Sequence, residues 1–188
     1  NWLKTEVEDF TKESVKMIPN AIDFKEFNII NPIEERINHI SMMYHRHPVK
    51  GSKNGLNVLY KLKNLYPDLQ VSIFTARKPL RIFPTWIKLF VRPNPIQLLN
   101  IYNSSSIFLH PSLSEGWPLP PAEAMACGCA VAASSNNGVK EYITHQETGM
   151  LSPIGDNIKM INNVQSLFDN DWTLKQIANS GHEKISEF

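Results

Sequence analysis

A chain of 188 residues is long enough for one domain with a sizeable core. Its composition, 42% hydrophobic and 20% charged, is that of a globular protein in water, and no stretch approaches the roughly 20 apolar residues of a membrane helix. Nineteen Lys and Arg against 18 Asp and Glu leave a formal charge of +1, which excludes the strongly basic balance of a nucleic-acid binder.

The chain opens on Asn1-Trp2-Leu3, without Met or a signal-peptide pattern, and reads as a piece of a larger protein entered midway. Residues 1–14 carry Trp2, Leu3, Val7 and Phe10 at near-helical spacing, as a surface helix or inter-domain segment would. SVKMIPNAID (14–23) predicts a short strand stopped by Pro19-Asn20, and NHISMMYH (38–45) a buried strand. Residues 53–67 place Leu56, Leu59, Tyr60, Leu62 and Leu65 mostly on one helical face. LQVSIFT (69–75) and WIKLFVRP (86–93) read as strands, with 76–86 the least regular segment between them. Residues 94–104 read as a helix with Asn94 as its cap and Pro95 at its first position. SIFLHPS (106–112) and CAVAASS (129–135) are strands, 137–143 a short helix, 148–153 a short strand, and 156–168 and 171–186 helices. Strands apolar on both faces, alternating with helices, predict an α/β fold: a Rossmann-like three-layer single domain with a mostly parallel sheet flanked by helices.

The two cysteines, Cys127 and Cys129, are too close in sequence for a ready disulfide and have no second pair to complete a zinc site. They read as small buried residues at a helix-to-strand junction. Two unpaired thiols fit a reducing compartment, hence a cytoplasmic location.

The stretch SLSEGWPLPPAEAMACG (112–128) follows a strand ending at His110. Ligands of open parallel α/β sheets sit beyond the carboxyl ends of the strands. Gly116 permits a close turn, and a helix starts within 118–122, where prolines are tolerated because first-turn N–H groups have no helical partner. Such a helix start favours an anion by ~0.3–2 kcal/mol. Glu115 and Glu123 flank it. Carboxylates grip paired hydroxyls but repel phosphate, so the pair fits a ligand with polyol parts on either side of a phosphate. The plainer alternative is a solvated Glu115 and a Glu123 that complements the helix dipole; composition does not separate the two.

Glu115 and Glu123, with seven residues between them, match the E-x7-E motif of retaining glycosyltransferases of family 4. The run HPSLSEGWPLPPAEAMACGCAVAAS resembles that family's PS-x-x-EGFGLPxxEAMACGxPVVAS. MIPNAID (17–23), the KG-containing block 49–74 and NNGVKEYITHQETGMLSPIGD (136–156) resemble its other blocks in the same order, so the resemblance spans roughly 15–170. It implies the C-terminal, donor-binding half of a GT-B fold, with an acceptor-binding N-terminal domain outside this chain. The implied partners are a nucleotide-sugar donor and that N-terminal domain carrying the acceptor. The implied role is transfer in cell-surface polysaccharide or glycoconjugate synthesis, without cofactor or metal. By the same resemblance Glu123 holds the donor ribose, Glu115 contacts the transferred sugar, and Lys50 contacts phosphate. Backbone amides of Gly116, Trp117 and Leu119 would line the sugar and diphosphate, and Arg92 lies where the base-recognition segment is expected.

Two departures stand out. The family's usual Arg five residues before the Lys is His45 here, and Arg46 is one position late, so either His45 or Arg46 faces phosphate. Pro118 replaces the usual Gly and removes one amide from the donor cradle. Both departures support the alternative of a non-catalytic ligand-binding or scaffold module with a degenerate site. Asp169-Asn170-Asp171 has D-x-D spacing but reads as a helix start with Asp171 as N-cap. Segment 77–92 interleaves Arg77, Lys78, Arg81, Lys88 and Arg92 with Leu80, Ile82, Phe83 and Trp86; it reads first as an ordinary loop and strand, with peripheral contact with the inner face of an anionic membrane as the alternative.

Overall fold

Short runs such as HISMM, QVSIFT and IFLH carry side chains that avoid water on both faces, and each becomes a strand with helices packed above and below. The structure, a computed structural model, describes residues 2–18 and 20–188. The strands are β1 (His39–Met43), β2 (Gln70–Thr75), β3 (Ile87–Val91), β4 (Ile107–His110), β5 (Ala130–Ser134) and β6 (Met150–Ser152). The helices are α1 (Trp2–Thr11), α2 (Ser52–Leu65), α3 (Pro95–Ser104), α4 (Leu119–Ala126), α5 (Asn157–Phe168) and α6 (Asp171–Ile185).

All six strands are parallel, in the order β3-β2-β1-β4-β5-β6. The order reverses between β1 and β4. At such a switch point the connections leave in opposite directions and open a crevice over the carboxyl ends of the two strands. On one face Leu56, Leu59 and Leu62 of α2 join Met160, Val164 and Leu167 of α5 in a buried cluster with Ile40, Met42 and Ile73. On the other, Phe74, Tyr102, Phe108, Met125 and Val131 form a second cluster under α3 and α4. Leu59 and Leu62 are fully buried, each contributing about 1.5–3 kcal/mol relative to exposure. The sheet is therefore covered by apolar side chains on both faces.

α3 starts as its sequence predicts: Asn94 accepts from the Gln97 amide (2.8 Å), the Gln97 side chain accepts from the Asn94 amide (3.0 Å), and Pro95 is in the first turn. Three local expectations change. Residues 14–18 and 20–23 form no strand: Met17 and Ile18 are exposed, and only Ile22 of their large apolar side chains reaches the core. The segment was apolar enough for a strand, but no sheet edge takes it up; Pro19 lies outside the described residues. The helix expected over 137–143 is one 3₁₀ turn, Val139–Glu141. The cap of α6 is Asn170 rather than Asp171, because the extended Asn170 accepts from the Thr173 amide (3.0 Å), while Asp169 accepts from the Tyr66 hydroxyl (2.8 Å).

Cys127 and Cys129 are free and buried where α4 turns into β5. Burial raises both thiols, that of Cys129 to about 11, so neither is a ready nucleophile. No helix among the described residues is long and apolar enough to cross a membrane.

Candidate functional site

Three loops meet at the carboxyl end of the switch point. The loop after β1 carries Lys50, the loop after β4 carries Glu115, and the loop after β5 carries Asn136 and Gly138. They are knitted by short bonds. The Leu113 amide and the Ser112 hydroxyl both donate to the Val49 carbonyl (2.8 and 3.1 Å). The buried Asn136 amide group donates to the Ser112 carbonyl (3.0 Å) and accepts from the Val139 amide (3.1 Å). Gly138 packs so closely that a Cβ there would lie 2.7 Å from the Glu115 carbonyl oxygen. The backbone that presents Glu115 is thus braced from two sides.

Lys50 Nζ donates to both carboxylate oxygens of Glu115, each at 2.8 Å. The Glu115 side chain is 10% exposed and that of Lys50 29%, so the pair is only partly screened by water. Beneath it His110, at the end of β4, is buried against Phe108, and its Nε2 lies 3.9 Å from Glu115 Oε1 without a hydrogen-bond partner among the described residues. Burial pushes this imidazole down to about 4, opposed by the Glu115 carboxylate and reinforced by Lys50. It is neutral at pH 7.

That burial has a consequence for stability. Unfolded, His110 takes up a proton near its ordinary 6.5; folded, it does so only near 4. Stability is therefore full above 6.5 and falls as the pH drops toward 4, by about 2 kcal/mol between pH 7.5 and 5. Urea titrations at those two pH values should show this loss in the natural chain and a smaller one in His110→Gln.

α4 begins directly after Gly116-Trp117-Pro118. The amides of Gly116, Trp117 and Leu119 donate to no group among the described residues, which leaves three donors, two before and one after Pro118, around the start of α4. The ring of Trp117 is turned away onto Tyr142 (4.9 Å between centroids) and Phe188 (5.8 Å), while Leu119 is 46% exposed. Pro118 is buried as the N-cap, and its carbonyl accepts from the Tyr142 hydroxyl (2.7 Å).

Glu123, one turn into α4, accepts from the Tyr102 hydroxyl of α3 at 2.8 Å. Burial raises its pKa, against the Tyr102 bond, which lowers it. The two glutamates therefore have different partners: a cation for Glu115 and a buried phenol for Glu123. Tyr102 carried no sequence signal, since it looks like any other apolar position of its helix.

Of the remaining candidates, His45 and Arg46 are exposed on the loop after β1. The His45 amide donates to Ser52 Oγ (2.9 Å), and its Nδ1 accepts from the His47 amide (3.0 Å). The Arg46 guanidinium donates to the Lys78 carbonyl in the 76–86 connection rather than meeting Glu115. Arg92 sits past the end of β3 with φ 52°, and its Nε donates to the Ala76 carbonyl (3.2 Å). Among the described candidate side chains, Lys50, Glu115 and His110 are brought into one cluster. A separate cavity of about 800 Å³, lined by His39, Gln70 and Ser104, opens at the amino ends of the strands, the wrong end for this chemistry.

A family model described as "Glycosyl transferases group 1" matches residues 87–184. An uncharacterized glycosyltransferase of Haemophilus influenzae is 28% identical over 96% of this chain, which spans 55% of that relative's length. The C-terminal domain of a glycosyl transferase group 1 family protein from Francisella tularensis superposes with a TM-score of 0.76 at 19% identity, covering 89% of this chain and 97% of that one. Anabaena HepE, solved with UDP-glucose, gives 0.79 at 15% identity over 97% of this chain and 57% of its own. The fold is that of GT-B C-terminal domains.

Proposed function

This chain belongs to the glycosyl transferases group 1 family, and from that premise we propose that it is the donor-binding half of a retaining transferase using a nucleotide-diphosphate sugar. The observation that carries this reading is the Lys50–Glu115 pair at the switch point, set beside the three unpaired amides of 116, 117 and 119. A lysine and a helix start match a diphosphate; two carboxylates match the hydroxyls on either side of it. Anabaena HepE, of the same fold, binds UDP-glucose. In this reading Lys50 leaves Glu115 for the diphosphate, and Glu115 is released to accept from the hydroxyls of the transferred sugar. As the diphosphate departs, Lys50 and the start of α4 stabilise the charge that grows on it. Glu123 accepts from the ribose. The acceptor and the attacking hydroxyl belong to a further domain, so this chain alone holds donor without transferring sugar.

Calorimetry against UDP, GDP, dTDP and ADP tests the reading. Binding of one of them at micromolar to low millimolar levels is expected. No binding to any, at millimolar excess, would instead assign a scaffold role, which the offset Arg46 and Pro118 favour.

Glu123 allows a finer experiment. Glu123→Gln keeps an acceptor for Tyr102 but removes the charge, so affinity should fall about ten- to hundredfold with the fold intact. Glu123→Ala should also leave the buried Tyr102 hydroxyl unpaired and destabilise the chain by about 1–3 kcal/mol. Unchanged affinity in the Gln variant would reduce Glu123 to a structural partner of Tyr102.

A further inference from the structure

The formal charge of +1 conceals a strong asymmetry. Between Asp68 and Glu115 there is no acidic residue, while Arg77, Lys78, Arg81, Lys88 and Arg92 all fall there. Three of these cations lie in the 76–86 connection between β2 and β3, which has no helix of its own. Arg77, Lys78 and Arg81 are exposed, and none is paired with a carboxylate among the described residues. The same loop holds Leu80 at 89% and Ile82 at 94% exposure. Two large aliphatic side chains held fully in water, alternating with unpaired cations, have no role in the fold.

The loop is nevertheless anchored. Arg92 Nε donates to the Ala76 carbonyl (3.2 Å), Thr75 Oγ1 to the Arg77 carbonyl (3.0 Å), and Arg46 to the Lys78 carbonyl. Pro79 is buried and Arg81 lies over the Phe83 ring at 5.5 Å. A tip presented this way, at the carboxyl rim of the sheet, is a fixed surface.

We propose that this loop docks the protein on an anionic membrane surface, its cations over lipid phosphates and Leu80 and Ile82 in the headgroup–acyl boundary. Charge complementarity selects that occupant. A nucleic acid would meet the cations but leave Leu80 and Ile82 in water. A surface that is anionic outside and apolar a few ångströms below satisfies both. The assignment is independent of the donor site. It sets that site's rim against the bilayer, because the loop is tied through Arg46 to the segment that carries Lys50.

Vesicle flotation tests it, with the chain mixed with phosphatidylcholine vesicles containing or lacking about a third phosphatidylglycerol. Association is expected with the anionic vesicles alone, weakening as salt shortens the screening length. Charge reversal of Arg77, Lys78 and Arg81 to Glu should lower the partition coefficient about a hundredfold or more. Leu80→Ser with Ile82→Ser, at positions too exposed to affect folding, should lower it about tenfold. Equal association with neutral vesicles, no association with anionic ones, or retention by the charge-reversed chain would overturn the proposal. So would a dimer abolished by the Leu80/Ile82 variant without vesicle binding, which assigns the patch to a second copy.

Discussion

Gly51→Ala is expected to lose about 4 kcal/mol of folding stability, the largest effect of any single methyl group added near the site. Gly51 has φ +63°, between the 3₁₀ turn Pro48–Lys50 and the start of α2. Its amide donates to the Pro48 carbonyl (2.9 Å), and its carbonyl accepts from the Gly55 amide (3.0 Å). A Cβ here would sit 1.9 Å from the carbonyl oxygen of Pro111. That oxygen belongs to backbone and cannot swing aside. The loop after β1 must then separate from the loop after β4, which disturbs Lys50 and Glu115 together. Gly155 is the control: it has φ +80° but nothing within 4 Å of an added Cβ. Gly155→Ala should carry only the left-handed backbone cost, about 1–2 kcal/mol. Urea unfolding of both variants separates conformation from collision. Equal losses would mean that the approach to Pro111 is not a constraint.

The same comparison shows what a linear sequence carries. The Leu56–Leu65 periodicity and the doubly apolar strands are local patterns, and α2, β1, β2 and β4 follow them closely. The run SVKMIPNAID is as apolar as some of these strands. Whether it pairs depends on a free sheet edge, a tertiary fact with no local trace. Asn170 and Asp171 are both good caps by chemistry; only the backbone of Asn170, at φ −142° and ψ 94°, decides between them. Lys50 and Glu115 are 65 positions apart, and no spacing rule joins them. The family's motifs nominated both residues. The β1/β4 switch point explains why they meet. Tyr102 and the neutral His110 supply the environments of the two glutamates, and both follow from packing that a sequence does not display.

Lys50→Ala is expected to weaken nucleoside-diphosphate binding about a hundredfold, through one or two charge-assisted hydrogen bonds of about 1.5–3 kcal/mol each, less the pairing with Glu115 given up on binding. The variant also leaves Glu115, 10% exposed, without its cation, which costs some stability. Those two effects must be separated. Lys50→Ala with Glu115→Gln removes both charges, so stability should recover while diphosphate affinity should not. A nucleoside without phosphates supplies the other arm. It touches no group assigned to Lys50, so its weak affinity should be the same in the natural chain and in Lys50→Ala. Salt offers an independent check, because a contact with diphosphate is screened and a nucleoside contact is not. Loss of nucleoside and diphosphate binding in equal proportion would show that Lys50 acts by holding Glu115 in place. The 2.8 Å pair would then be a strut of the fold, not a resting state of the donor site.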